Sequence, residues 1–245
     1  MKLIDYFSII ESRHAFQNPT SERKLDLLIG YCGVADGMRV LDVGCGKAWL
    51  LRRMATNHTI DGVGIELRST FLDEARQQIQ RAPSKGSITL HRMPATDYPA
   101  EPQRFDIGLC IGASFAIGSF EDMLKWLKPQ IKSEGCLAIG DVYAKKPDLA
   151  GELEMHFSGA VRNLSETVQI LNGHGLELIG LIDSSVDDWD EYESLHWLAA
   201  DEWLRANGSH PDCDEFRELS NACRRRHLKF DRDALGWAIF VCRVM

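Results

Sequence analysis

The sequence predicts an α/β chain, a parallel sheet covered by helices on both faces. Three observations carry this. Short apolar runs alternate with segments of helical period, as they do when strands are buried on both faces. A glycine-rich turn, Gly44-Cys45-Gly46, joins the first run to the first amphipathic helix. The last run closes the chain at Leu235–Val244. At 245 residues, 44% hydrophobic and 26% charged, residues 1–245 suit a single domain with added segments.

Taken in order, residues 1–36 precede the first strand and have helical character. Strands follow at Met38–Val43, Thr59–Leu67, Ser87–His91, Phe105–Ile111, Cys136–Val142, Leu176–Ile182 and Leu235–Val244, seven in all. Ala48–His58 places Leu50, Leu51 and Met54 at helical spacing, and Thr70–Arg81 does the same with Leu72, Ala75 and Ile79. Ser119-Phe120-Glu121-Asp122 has the form of a capping box, opening a helix that buries Met123, Leu124 and Leu127. A further helix starts at Ser165 and stops at Asn172-Gly173-His174-Gly175. Residues 184–233 separate the last two strands by far more than a hairpin needs. They carry Trp189, Tyr192, Trp197 and Trp203, which predicts a helical cap.

Composition narrows the function. With 28 Lys and Arg against 36 Asp and Glu, the net charge is −8, so no broad nucleic-acid-binding face is expected. The longest uncharged run, Ile107–Phe120, is short of the ~20 residues that span a bilayer. The amino end meets a charge at Asp5 and another at Glu11, with no signal-like apolar stretch. A cytoplasmic protein is expected, with no membrane partner. Seven scattered cysteines without a CxxC pair imply a reducing compartment and no disulfide framework. His210, Cys213, Cys223 and His227 fit no common zinc module, and no metal is expected. The acid-rich run from Asp183 to Glu202 has the composition of a solvated helix face.

The most informative stretch is Leu41-Asp42-Val43-Gly44-Cys45-Gly46-Lys47-Ala48-Trp49. Between a strand and a helix, glycines let the backbone turn tightly and the helix N–H groups face a ligand. A dinucleotide fingerprint needs a third glycine where Trp49 stands. A phosphate-binding P-loop needs glycine at Leu41 and a hydroxyl at Ala48. Both readings fail. The spacing that fits is D-x-G-x-G-x-[G/A], met by Asp42, Gly44, Gly46 and Ala48. Glu66 ends the second strand, about 20 residues beyond the loop, where a carboxylate can accept the ribose hydroxyls of a nucleoside.

Val40 to Gly46 resembles motif I of the class I S-adenosylmethionine (SAM)-dependent methyltransferases, and Gly62-Val63-Gly64-Ile65-Glu66 resembles their second motif. Arg104–Ile107 and Leu127-Lys128-Pro129 through Leu137 are similar to the family's segments at strands four and five. Glu11-Ser12-x-His14, Asn18-Pro19 with Glu22 and Lys24, Gly112-Ala113-x-x-x-Ile117-Gly118 and Trp189-Asp190-x-Tyr192 resemble a narrower YjhP-like group of bacterial methyltransferase-domain proteins. The resemblance implies a Rossmann-like, seven-stranded, mostly parallel sheet whose last strand is antiparallel. It implies SAM as cofactor, with Asp42 in the motif and Gly44, Cys45 and Gly46 at the methionine part and ribose. Glu66 is then on the ribose hydroxyls, Leu67 beside the adenine, and Gly112 and Ala113 beside the methionine moiety. Many relatives carry an acid after strand three, where this chain has Pro94. The adenine contact therefore falls to the backbone around Ala95 and Thr96, or to Asp97.

Methyl transfer draws its reactivity from the cofactor, while the protein supplies alignment and sometimes a base. Asp141, ending the fifth strand, and His14, in the amino-terminal segment, are the candidate catalytic residues, each with a structural hydrogen bond as its competing role. Tyr143, Trp189, Tyr192 and Trp197 are the candidate substrate-lining residues. For Trp197 and Trp203 a place in the core of the cap competes with an aromatic cage. The expected reaction is methylation of a small molecule at O, N, S or C. An RNA or protein methyltransferase and a non-catalytic SAM-binding regulator are the alternatives. The tetrad Asn/Asp-Pro-Pro-aromatic, which would favour the first alternative, is replaced by Gly112-Ala113-Ser114-Phe115.

Overall fold

The computed structural model describes residues 2–146 and 161–245. Its centre is a seven-stranded sheet in the order β3-β2-β1-β4-β5-β7-β6. The strands are β1 Arg39–Val43, β2 Asp61–Glu66, β3 Ser87–Arg92, β4 Phe105–Ile111, β5 Ile131–Ala144, β6 Leu176–Asp183 and β7 Leu235–Val244. β7 runs antiparallel to both of its neighbours, β5 and β6, while the remaining pairs are parallel. The fold is the Rossmann-like sheet expected.

Helices cover both faces. On one side α2 (Glu22–Tyr31), α3 (Trp49–Asn57) and α4 (Ser69–Arg81) set Leu25, Leu28, Leu51, Met54 and Leu72 against Val40, Ile107 and Ile239. On the other, α5 (Phe120–Leu127) and α6 (Leu164–Gly173) set Met123, Leu124, Leu127 and Leu171 against Leu41, Phe105 and Phe240. Successive strand residues point to opposite faces, so both sides of β1, β4 and β7 must be apolar. That is why these strands appear as unbroken hydrophobic runs.

Local chemistry sets the element ends. Ser119 and Asp122 form the expected reciprocal capping box at the start of α5. α6 begins one residue earlier than expected, because Asn163 rather than a serine caps it and Glu166 returns the hydrogen bond. β5 begins at Ile131 rather than Cys136. Its first half is interrupted in sequence by Lys132 and Glu134, and the β4–β5 register shifts between Phe105 and Ile107. α3 begins at Trp49 rather than Ala48, since Ala48 itself sits in the left-handed region at φ 54°.

The two segments outside the alternation meet in space. α1 (Leu3–Ile10) contributes Tyr6 and Ile10, α7 (Val186–Ala206) contributes Ala200, and α8 (Cys213–Arg226) contributes Phe216 to one small separate core. Around it Arg13 pairs with Glu202, Lys24 bonds both Asp188 and the Asp183 carbonyl, and Ser184 donates to the Pro19 carbonyl. α7 is closed at its start by a Ser185–Asp188 capping box. Val186–Ala206 and Cys213–Arg226 are helical and pack with the amino-terminal segment into one lobe. No helix of the described residues is long and apolar enough to cross a membrane.

Beside this lobe, Tyr143 on β5 lies flat against Gly236 of β7, its register partner. A Cβ at Gly236 would stand 2.1 Å from Cζ of that ring, and the ring is held by a 2.9 Å hydrogen bond from Tyr143 Oη to Asp183. Gly236→Ala should therefore destabilise the protein by about 1–3 kcal/mol, the cost of overpacking a closed contact. Urea denaturation of the two proteins measures it, and equal midpoints would show that the ring moves freely.

Candidate active site

The strand order reverses between β1 and β4, so the loops leaving these two strands diverge and open a crevice at the carboxyl edge of the sheet. The loop after β1 carries Gly44 at φ 69° and Gly46 at φ 54°, and the loop after β4 carries Gly112 at φ 75°. All three conformations suit glycine. The spaces they leave are closely bounded: a Cβ on Gly44 would stand 2.3 Å from Cβ of Ala113. Gly44 and Cys45 both donate to the carbonyl of Ile65 at the end of β2, and Gly112 donates to the carbonyl of Gly140 on β5. The cradle is thus built by backbone from four adjacent strands.

Ala48 explains the third small residue of the motif. It is fully buried and left-handed at φ 54°, a conformation costing roughly 1–2 kcal/mol for a residue with a side chain. Glycine or alanine is tolerated there and little else.

Glu66 faces the cradle from the end of β2. Its Oε2 accepts from the Gly46 N–H at 3.0 Å, and its Oε1 accepts from the N–H groups of Leu67 and Arg68 at 2.8 Å each. A carboxylate offers about four acceptor sites. Three are engaged, and one on Oε2 is left for a ligand. Leu67, beside it, is half exposed. Ala95 is buried at the start of a tight turn over Ala95–Asp97, while Thr96 and Asp97 are exposed. Asp42 stands apart from these: it is buried beneath the loop, and burial, with Glu66 nearby, lifts its carboxyl to about 7.

Asp141 lies within β5, which continues to Ala144 rather than ending near it as expected, and just beyond the last β4–β5 pair, Ile111 with Gly140. It accepts from the Val142 N–H at 2.8 Å and from Ser114 Oγ at 3.3 Å, with Arg162 Nη2 3.6 Å away. Burial raises its carboxyl, and those three groups oppose the rise. Arg162 also stacks over Phe120 at 4.4 Å. Phe115, next to Ser114, is 72% exposed.

His14 belongs to a different network. Its Nε2 contacts the Tyr192 carbonyl at 2.9 Å, which places the ring proton on Nε2 and leaves Nδ1 bare and buried. The ring packs on Tyr192 and His196 at 4.8 and 4.6 Å, and burial lowers it to about 4. Glu11 joins this cluster through Arg68 and Tyr192. Trp189 stacks on His227, and Trp197 lies under Arg224. Gly44, Gly46, Glu66, Gly112 and Ala113 are thus brought together, Asp141 stands beside them on β5, and His14, Trp189, Tyr192 and Trp197 are gathered in the helical lobe.

Sequence patterns had not pointed to Lys47, which is 2% exposed, bridges the cradle to the amino-terminal segment through the Ser12 carbonyl and pairs with Glu74 of α4. Nor had they pointed to Ser114 and Arg162. No local pattern marks these three, because each acts through a partner distant in sequence.

Residues 40–135 match the model of the methyltransferase domain family. The uncharacterized protein YjhP of Escherichia coli K12 is 26% identical over 238 residues, covering 96% of each chain. Two solved structures superpose over nearly their whole length, both at a TM-score of 0.90 and 26% identity. One is a SAM-dependent methyltransferase from Geobacter sulfurreducens, covering 98% of each chain, and the other is from Thiobacillus denitrificans, covering all of both. Both are complexes with S-adenosyl-L-homocysteine.

The buried Asp42 makes a test of the loop possible. Its folded pKa lies above the ordinary carboxylate value, so the folded state holds a proton that the unfolded chain has released. Stability contributed by this site is present at low pH and falls as pH rises from about 4 through 7. Asp42→Asn should flatten that decline. The measurement is the denaturation midpoint of both proteins at pH 5 and pH 8; an identical loss in the two would mean that Asp42 ionises freely when folded.

Proposed function

We propose that this chain, a SAM-dependent methyltransferase by its domain, its fold and its likeness to structures that hold S-adenosyl-L-homocysteine, transfers the methyl group to a small-molecule acceptor held between the end of β4, the adjoining part of β5 and the helical lobe. The observation that carries the reading is the cradle. Gly44, Gly46 and Gly112 each have a positive φ, and Glu66 reaches Gly46 from the next strand. A nucleoside fits such a site: the free acceptor position of Glu66 suits a ribose hydroxyl, and exposed Leu67 suits a flat adenine face. The backbone at Ala95 and Thr96 lies at the end of β3, on the same edge. Gly112 and Ala113 line the side toward β4, where the methionine part belongs.

The cofactor, when bound, supplies a methyl group activated by a sulfonium and open to in-line displacement. The chain's own residues then have two tasks. Those of the cradle hold the donor in line. On the acceptor side, Asp141 orients the nucleophile or takes its proton, and a carboxyl raised by burial is the stronger base for it. Ser114 and Arg162 hold Asp141 in place. His14, bonded to the Tyr192 carbonyl within the lobe, serves to position that lobe, which selects the acceptor. A small acceptor, rather than RNA, agrees with the net charge of −8.

Glu66→Ala should weaken SAM binding by about 1–3 kcal/mol, through loss of a charged acceptor. Calorimetric titration with SAM, S-adenosylhomocysteine and NAD decides this; unchanged affinity in a folded variant would put the ribose elsewhere, and preference for NAD would overturn the nucleoside assignment.

Asp141→Asn should lower kcat/KM for the acceptor by roughly 10²–10⁴-fold if a proton must be removed, while Kd for SAM stays nearly unchanged. A metabolite extract incubated with SAM and searched by mass spectrometry for a gain of one methyl supplies the acceptor. Equal loss of SAM binding and turnover would move Asp141 to the cofactor side.

A further inference from the structure

We propose that Gln17 and Asn18 of the amino-terminal segment are a pair of acceptors for the ammonium of the cofactor's amino-acid end. The assignment rests on the methyltransferase reading and adds to it a recognition element from outside the sheet loops.

The two side chains lie over the two loops of the crevice. A Cβ on Gly46 would stand 2.2 Å from Gln17 Oε1, and a Cβ on Gly112 would stand 2.0 Å from Asn18 Oδ1. Both amide oxygens therefore rest directly against glycine α-carbons, one at the tip of β1 and one at the tip of the adjacent β4. The orientation of each amide is fixed by its other end. Asn18 Nδ2 donates to the Ile111 carbonyl at 3.1 Å, and Gln17 Nε2 donates to the His14 carbonyl at 3.3 Å. A carbonyl demands the nitrogen, so the oxygen must face the crevice. Neither oxygen accepts a hydrogen bond among the described residues.

The segment is held in place by its own contacts. Lys47 Nζ donates to the Ser12 carbonyl at 2.8 Å, Phe16 packs edge-on against Trp49 at 5.7 Å, and Ser184 donates to the Pro19 carbonyl. Two preset carbonyl-type oxygens make a site for a hydrogen-bond donor, and a cationic donor gains most from them. An α-ammonium is that group. The nucleoside half of the cofactor has no use for it.

The last point supplies the test. S-adenosylhomocysteine and 5′-methylthioadenosine share the nucleoside thioether, and only the first carries the amino-acid end. Both are titrated calorimetrically into the wild type, Gln17→Leu, Gln17→Glu and Asn18→Ala. Gln17→Leu and Asn18→Ala should each lose about tenfold or more in affinity for S-adenosylhomocysteine, as expected for a hydrogen bond to a charged group. Their affinity for methylthioadenosine should stay within about twofold. Gln17→Glu keeps an acceptor oxygen but loses the donor to His14, so it should retain the preference for S-adenosylhomocysteine. If Gln17→Leu and Gln17→Glu are damaged alike, or if both ligands weaken together, Gln17 only fastens the segment and the assignment falls. No change in any variant also sinks it. Failure of the wild type to bind either nucleoside would instead overturn the methyltransferase reading, and the assignment with it.

Discussion

The structure depends on the reversal of strand order between β1 and β4. Because β2 is laid down on one side of β1 and β4 on the other, the connections leaving β1 and β4 go to opposite faces of the sheet. The gap between them is where backbone N–H groups and small residues face outward. The glycines of the cradle answer to this geometry. They turn the chain away from the gap within one or two residues, and any side chain at Gly44 would strike Ala113 across it. Ala48 is the limiting case, left-handed yet not glycine, and strain of this kind concentrates at functional loops.

Around the gap, carboxylates are arranged in two different environments. Glu66 is surrounded by N–H donors at the surface of the cradle, so its charge is compensated and remains available to a ligand. Asp42 and Asp141 are buried, and desolvation dominates both, raising each carboxyl. For Asp141 three polar neighbours moderate the effect, whereas Asp42 lies under the loop with no such relief. The end of β2 thus carries a carboxylate ringed by N–H donors, while β1 and β5 carry carboxyls raised by desolvation.

The amino-terminal segment and the helices of residues 184–233 form the second level of organisation. Neither has a core large enough to stand alone. Together they bury Tyr6, Ile10, Ala200 and Phe216 and enclose the polar cluster of Glu11, His14, Arg68, Tyr192 and His196. Arg68 comes from the turn directly after Glu66, so the cluster links the lobe to the cradle within two residues of its carboxylate. Lys47 makes a second link from the loop itself. The lobe is tied to the cradle by these hydrogen bonds, and to the sheet by the Ser184 N–H, which donates to the Trp237 carbonyl of β7.

The sequence by itself determined the strands, most helices and the cradle. Each of these rests on local chemistry: apolar runs for strands buried on both faces, Ser119 with Asp122 for a cap, and glycines followed by an acid one strand later for the nucleoside loop. Where local signals were mixed, boundaries moved, as at charged Lys132 and Glu134 in β5 and at left-handed Ala48 before α3. Only the tertiary structure decided that the two extra segments form one lobe, because Arg13–Glu202 and His14–Tyr192 join residues 189 and 178 positions apart. The same holds for Gln17 and Asn18 resting on Gly46 and Gly112. Contacts across such distances are fixed by which hydrophobic faces pack and which buried polar groups find partners, and neither leaves a periodic trace in the chain.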